Sequence, residues 1–176
     1  METRILVISG VSGSGKSTLG GRLRDLLVAR GRRVALLDGD GMREFFRGAF
    51  QYSSEDRLMV SKILAYAATL LAGHDTDVIL ATMLSQPGAR EFLGEHADFV
   101  EVFCDAELSD CIENDHKQVY EQSLGAERPN IVGHDLTFQR PESPDLVLRT
   151  HVQTPEESFQ EMIRLLGQRR LFGLSP

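Results

Sequence analysis

The sequence predicts a three-layer α/β domain, a mostly parallel five-stranded sheet with helices on both faces. Three observations predict it. Short runs of aliphatic and β-branched residues recur along the chain, each the length of a buried strand. Between them lie stretches with apolar residues at helical spacing, and parallel strands need such crossovers. The first run also feeds directly into a glycine-rich turn that opens a helix.

Taken in order, Ile5-Leu6-Val7-Ile8 reads as the first strand, and Leu19, Leu23, Leu26 and Leu27 place a helix after the turn. In Ala29-Arg30-Gly31-Arg32-Arg33 a glycine stands where helices stop, and the arginines read as a solvated end complementing the helix dipole. Val34-Ala35-Leu36-Leu37 is the second strand, closed by Asp38-Gly39-Asp40. Ser53-Ser54-Glu55-Asp56 looks like a capping box opening a long helix through Leu58, Ile63, Leu64, Tyr66, Leu70 and Leu71. Val78-Ile79-Leu80-Ala81 and the run from Phe99 to Cys104 are the third and fourth strands, each followed by a helix candidate. Leu146-Val147-Leu148 is the fifth, and Thr154-Pro155-Glu156-Glu157 supplies an N-cap, a proline at the first helical position and a glutamate at N3 for the closing helix. The stretch from Asn114 to Ser143 is rich in Gly, Pro, Asn and charge without clean periodicity, and reads as one short helix plus a mobile lid. No repeat or linker divides residues 1–176, so a single domain is expected.

The turn itself, Gly10-Val11-Ser12-Gly13-Ser14-Gly15-Lys16-Ser17-Thr18, is a complete G-x-x-x-x-G-K-[ST] phosphate-binding loop (P-loop) between strand and helix. Consecutive N–H groups and the positive end of the helix dipole then converge on one spot. That spot holds phosphate. Gly10 and Ser12 to Thr18 are therefore the expected nucleotide cradle, with Lys16 on the β- and γ-phosphates of ATP and the Ser17 hydroxyl on Mg²⁺.

Composition bounds the partners. With 41% hydrophobic and 26% charged residues over 176 positions, the chain has the make-up of a globular domain. A formal charge of −7 gives no basic field for nucleic acid or an anionic membrane, so neither is an expected partner. No apolar stretch approaches the roughly 18 residues of a membrane span, and Met1-Glu2-Thr3-Arg4 does not open a signal peptide, so a cytoplasmic protein is expected. Cys104 and Cys111 fit no metal or redox motif and read as small packing groups, and the histidines are scattered without ligand spacing. Association into a homodimer is left open.

Asp38-Gly39-Asp40 stands about one crossover after the loop, which brings two carboxylates to the sheet edge beside Lys16. Phosphoryl transfer uses such a pair, one carboxylate on the metal and one accepting a hydrogen bond from the attacking hydroxyl. Asp38 and Asp40 are thus expected catalytic carboxylates, with Asp38 the expected metal contact beside Ser17. A GTPase switch is excluded although Asp38 to Gly41 spells D-x-x-G. That sequence follows the loop too soon for a first switch region, and Asn114-Asp115-His116-Lys117 has the wrong order for a guanine reader.

From Gly10 to Thr150 the chain resembles adenylylsulfate kinases, which transfer the γ-phosphate of ATP to the 3′-hydroxyl of adenosine 5′-phosphosulfate. The resemblance is carried by Ser12 to Thr18, Leu37-Asp38-Gly39-Asp40 with Arg43, Tyr52-Ser53-Ser54-Glu55-Asp56-Arg57 and Val102-Phe103-Cys104-Asp105. It continues through Asp115, Lys117, Val119-Tyr120, Gly133, Asp135 and the run from Pro141 to Leu146. The resemblance implies that Asp40 lies near the acceptor hydroxyl, that Arg43 and Arg57 contact the acceptor's phosphosulfate, that Tyr52 stacks on its adenine, and that Ser85 matches the serine of the family's Ile-Ser-Pro element. The acceptor is then a small nucleotide.

Departures fall in the acceptor half. The family's Asn after the Asp-Arg pair is Val60, the Phe of the adenine clamp is Ile131, Ile-Ser-Pro has become Leu84-Ser85-Gln86-Pro87 without the arginine just after it, and Asn114, Glu121 and Gln122 replace basic residues of the lid. Two alternatives stay open: a relative phosphorylating a hydroxyl of another nucleotide-linked or small polar acceptor, and a nucleotide-binding module without transfer activity.

Overall fold

The structure is a computed structural model and describes residues 4–86, 88–113 and 138–175. Its sheet has five strands, β1 (Ile5–Ser9), β2 (Val34–Asp38), β3 (Asp77–Ala81), β4 (Val100–Asp105) and β5 (Leu146–Arg149), all parallel in the order β2-β3-β1-β4-β5. The helices are α1 (Lys16–Ala29), α2 (Gly39–Phe45), α3 (Ser54–Ala72), α4 (Ala89–His96), α5 (Leu108–Glu113) and α6 (Pro155–Gln168), with a 3₁₀ turn at Leu171–Gly173. No described helix is long and apolar enough to cross a membrane.

The period of two along β1 sorts the protein into layers. Leu6 and Ile8 pack on one face with Leu19, Leu23 and Leu27 of α1 and with Met162 and Leu166 of α6. Ile5 and Val7 pack on the other with Val60, Leu64 and Ala68 of α3 and Leu93 of α4. Both faces of the sheet are therefore covered, as the unbroken aliphatic strands require. After β1 the chain leaves toward the β2 edge, whereas after β3 it crosses to β4 on the far side of β1. Connections that part in this way open a crevice at the carboxyl ends of the strands.

The sequence reading needs three local corrections. First, Asp38 does not merely close β2; its Oδ1 accepts from the Gly41 N–H at 2.6 Å and N-caps α2, a helix the spacing had not marked. Second, Arg32 is no solvated helix end. Its guanidinium forks onto the carboxylate of Asp77, which is 1% exposed and which Arg4 also contacts, because a buried carboxylate must be paired. Third, the expected box at Ser53 is half made: Ser53 Oγ accepts from the Asp56 N–H at 3.1 Å, while the Asp56 carboxylate turns to the Gln51 N–H at 2.9 Å. The box at Thr154 and Glu157 is complete.

Candidate active site

The phosphate loop is shaped by what lies behind it. Gly10 has φ +143°, and a Cβ there would stand 2.6 Å from both the Cys104 carbonyl oxygen and Ser14 Oγ, so the chain passes β4 only as glycine. Gly15, the N-cap of α1, has φ +89° with open space before it. The first turn of α1 thus presents its N–H groups outward. Lys16 Nζ donates to the Val11 carbonyl at 2.5 Å, a bond that curls the loop around its own concavity. Ser14 is buried.

One cavity of about 620 Å³ begins on this loop. Ser12, Gly13, Ser14, Gly15, Lys16, Ser17 and Thr18 line it, with Gly10 just behind the wall. Asp38 and Asp40 line it at the end of β2, Asp40 being exposed in the first turn of α2. Arg43, Tyr52, Arg57 and Ser85 complete the far side, so the sequence-derived set meets in one space. Ile131 lies outside the described residues, as does most of the expected lid, of which only 138–143 is described.

The far side is a cationic niche built from two helices and the loop between them. Arg43 on α2 donates to the carbonyls of Gly39 at 3.2 Å and Gln51 at 3.3 Å, and its guanidinium lies 5.0 Å from the Tyr52 ring centre. Arg57 on α3 donates Nε to the Tyr52 carbonyl at 3.1 Å and lies 5.4 Å from the same ring. Burial, then repulsion from Arg43, hold the Arg57 guanidinium below the ordinary arginine range, while Tyr52 and Asp40 act in the opposite sense. Two guanidinium groups beside one ring, that of Arg57 buried, favour an anion. Val60, 3% exposed one turn beyond Arg57, adds an apolar wall.

Sequence reasoning missed part of the lining. Thr150, His151, Gln153, Pro155 and Ser158 close the cavity beyond the loop, where the β5–α6 junction returns to α1. Their signal was only positional, a loop at the carboxyl end of a strand. Cys111 and Asp110 of α5 also line it, and a Cβ on Gly13 would meet Cys111 at 3.2 Å. Burial pushes the thiol of Cys104 up to about 12 and that of Cys111 above its ordinary value, which keeps both neutral and inert.

Known proteins similar to this chain share one family description. The family model described as adenylylsulphate kinase matches residues 2–149. A Pseudomonas aeruginosa protein named "Probable adenylyl-sulfate kinase" is 37% identical over 161 residues, 91% of this chain and 75% of that one. The adenylyl-sulfate kinase of Deinococcus deserti is 35% identical over 165 residues, 93% and 91% of the two chains. Among solved structures, the Mycobacterium tuberculosis APS kinase CysC in complex with AMPPNP and APS is similar with a TM-score of 0.85 and 32% identity, covering 94% of this chain and 98% of that one.

Proposed function

This chain belongs to the adenylylsulphate kinase family, and from that membership and its site we propose that it transfers the γ-phosphate of ATP to the 3′-hydroxyl of adenosine 5′-phosphosulfate. The observation that carries the reading is the continuity of the cavity: the phosphate loop, the two aspartates of the β2–α2 junction and the arginine niche share one space. A donor phosphate on the loop and an acceptor anion at the arginines would share that space with Asp40.

The chemistry follows from the residues. Lys16 neutralises charge on the β- and γ-phosphates, and the loop amides hold them. The Ser17 hydroxyl and the Asp38 carboxylate are hard oxygens lining the same cavity, and they would hold Mg²⁺. The ion would supply neutralisation of the phosphate charge there. Asp40 accepts the proton of the acceptor hydroxyl as the new O–P bond forms and the bond to the β-phosphate oxygen breaks, releasing ADP. Arg43 and Arg57 bind the phosphosulfate, Tyr52 stacks on the base and Ser85 supports the acceptor from the third strand's loop. The same reading places the protein in sulfate assimilation in the cytoplasm.

Val60 favours a second reading, in which the acceptor is another nucleotide-linked or small polar alcohol, since an apolar residue stands in the wall of the acceptor niche. An ADP-release assay with Mg-ATP and a panel of acceptors decides between them. Adenosine 5′-phosphosulfate should give the largest stimulation; a larger one from a different alcohol would move the assignment to that class.

A further inference from the structure

Glu101 is a charged residue in the middle of β4, yet only 5% exposed. It accepts from Ser9 Oγ at 2.5 Å and from Arg90 Nε at 3.1 and 3.2 Å. Ser9 is the last residue of β1 and adjoins Gly10, so this carboxylate grips the root of the phosphate loop. Arg90, on α4, spends its Nη1 on two backbone carbonyls, Leu84 at 2.9 Å and Gln139 at 3.3 Å. Leu84 stands at φ +46°, a left-handed conformation that a side chain adopts only when its surroundings hold it there. The next residue is Ser85, buried in the cavity wall.

Residues 138–140 are sewn onto the same face of β4. Phe138 stacks on Phe103 with ring centres 5.9 Å apart, and Arg140 pairs with Asp105 at 2.7 Å. Glu101, Phe103 and Asp105 alternate along the strand and therefore share that face. One guanidinium thus joins three parts of the chain: the root of the phosphate loop through Glu101, the loop carrying Ser85, and the strand-side anchor at Gln139.

A buried ion pair contributes little net stability, because desolvation offsets much of the attraction, but a fork with several fixed acceptors defines geometry. We propose that Arg90 is a positioning residue that fixes the 82–86 loop, and Ser85 with it, relative to the phosphate loop, and so sets the affinity for the acceptor without touching it. This inference rests on the acceptor half of the site being where the proposed function puts it.

Arg90→Lys and Arg90→Met test it with two readouts on the whole protein. Lysine keeps the charge opposite Glu101 but cannot fork to a carboxylate and two carbonyls together, so Arg90→Lys should keep the parent Tm while raising the KM for adenosine 5′-phosphosulfate about tenfold or more, with the KM for ATP within about twofold. Amide hydrogen exchange should accelerate in residues 82–86 and 138–140 of both variants and not in α1. Exchange is independent of the acceptor's identity, so it decides the positioning claim even if the parent shows no turnover with adenosine 5′-phosphosulfate, a result that would instead defeat the proposed function. Unchanged exchange in both segments, or a rise of both KM values in step with a loss of Tm, overturns the inference.

Discussion

Gly10→Ala and Gly15→Ala separate the two things the phosphate loop does, which are packing against β4 and presenting amides to phosphate. At Gly10 the added methyl would stand 2.6 Å from the Cys104 carbonyl oxygen, which belongs to the sheet and cannot move alone. Overpacking of this kind costs about 1–3 kcal/mol, and the positive φ adds about 1–3 kcal/mol. A total loss of about 2–6 kcal/mol corresponds, at about 2–4 °C per kcal/mol for a chain of this size, to a fall in Tm of about 4–24 °C. At Gly15 nothing lies within 4 Å of the added methyl, so only backbone strain remains. That is about 1–2 kcal/mol and a fall of about 2–8 °C. The order reverses for the ligand, because the Gly15 methyl enters the open space above α1 where phosphate is expected. Scanning calorimetry with and without a non-hydrolysable ATP analogue measures both. At about 100 times Kd the analogue should stabilise the parent by about 2.7 kcal/mol, and Gly15→Ala should lose most of that rise. Equal Tm values for the two variants, or a full ligand-induced rise in Gly15→Ala, would refute the reasoning.

Four further outcomes are expected. Lys16→Ala should lose the bond to the Val11 carbonyl, at about 0.5–1.5 kcal/mol of stability, but should lower ATP turnover by far more than tenfold; single-turnover rates check this. Asp40→Asn should lower kcat by about 10²- to 10⁴-fold with little change in either KM, and an unchanged kcat in steady-state assays would leave Asp40 a first-turn helix residue and move the proton acceptor to Asp38. Tyr52→Ala should weaken acceptor binding by about tenfold or more in titration calorimetry while leaving the ATP analogue nearly unaffected. With the Cys104 thiol held up to about 12 by burial and Cys111 shifted the same way, the folded protein should react negligibly with a thiol reagent at neutral pH. Both should react on unfolding; rapid labelling of the native protein, read by mass spectrometry, would contradict it.

Legibility in the sequence followed locality. The phosphate loop is a contiguous pattern whose residues serve one purpose, so Gly10 to Thr18 could be read without knowing what packs behind them. The strands were readable because a sheet buried on both faces leaves unbroken aliphatic runs at Ile5 to Ile8 and Val78 to Ala81. Helix α2 escaped notice because Gly39 and Gly41 weaken its propensity and it presents no apolar stripe; the Asp38 cap holds it. Partners distant in sequence were invisible. Arg32 looked like a helix end until Asp77, 45 positions on, was brought against it, and Arg90 gave no sign of Glu101 or Leu84. Ser9, Glu101 and Gln139 become one network only through the strand order, which no local pattern encodes.

Transfer from the phosphate loop to an acceptor in the same cavity is tested most directly by following the γ-phosphate. The protein is incubated with γ-labelled ATP, Mg²⁺ and adenosine 5′-phosphosulfate, and the product is isolated and its phosphate located by phosphorus NMR. The account predicts label on the 3′-oxygen of the acceptor in stoichiometry with ADP, and none when Lys16→Ala replaces the parent. Label released only as inorganic phosphate, at a rate the acceptor does not change, would contradict it.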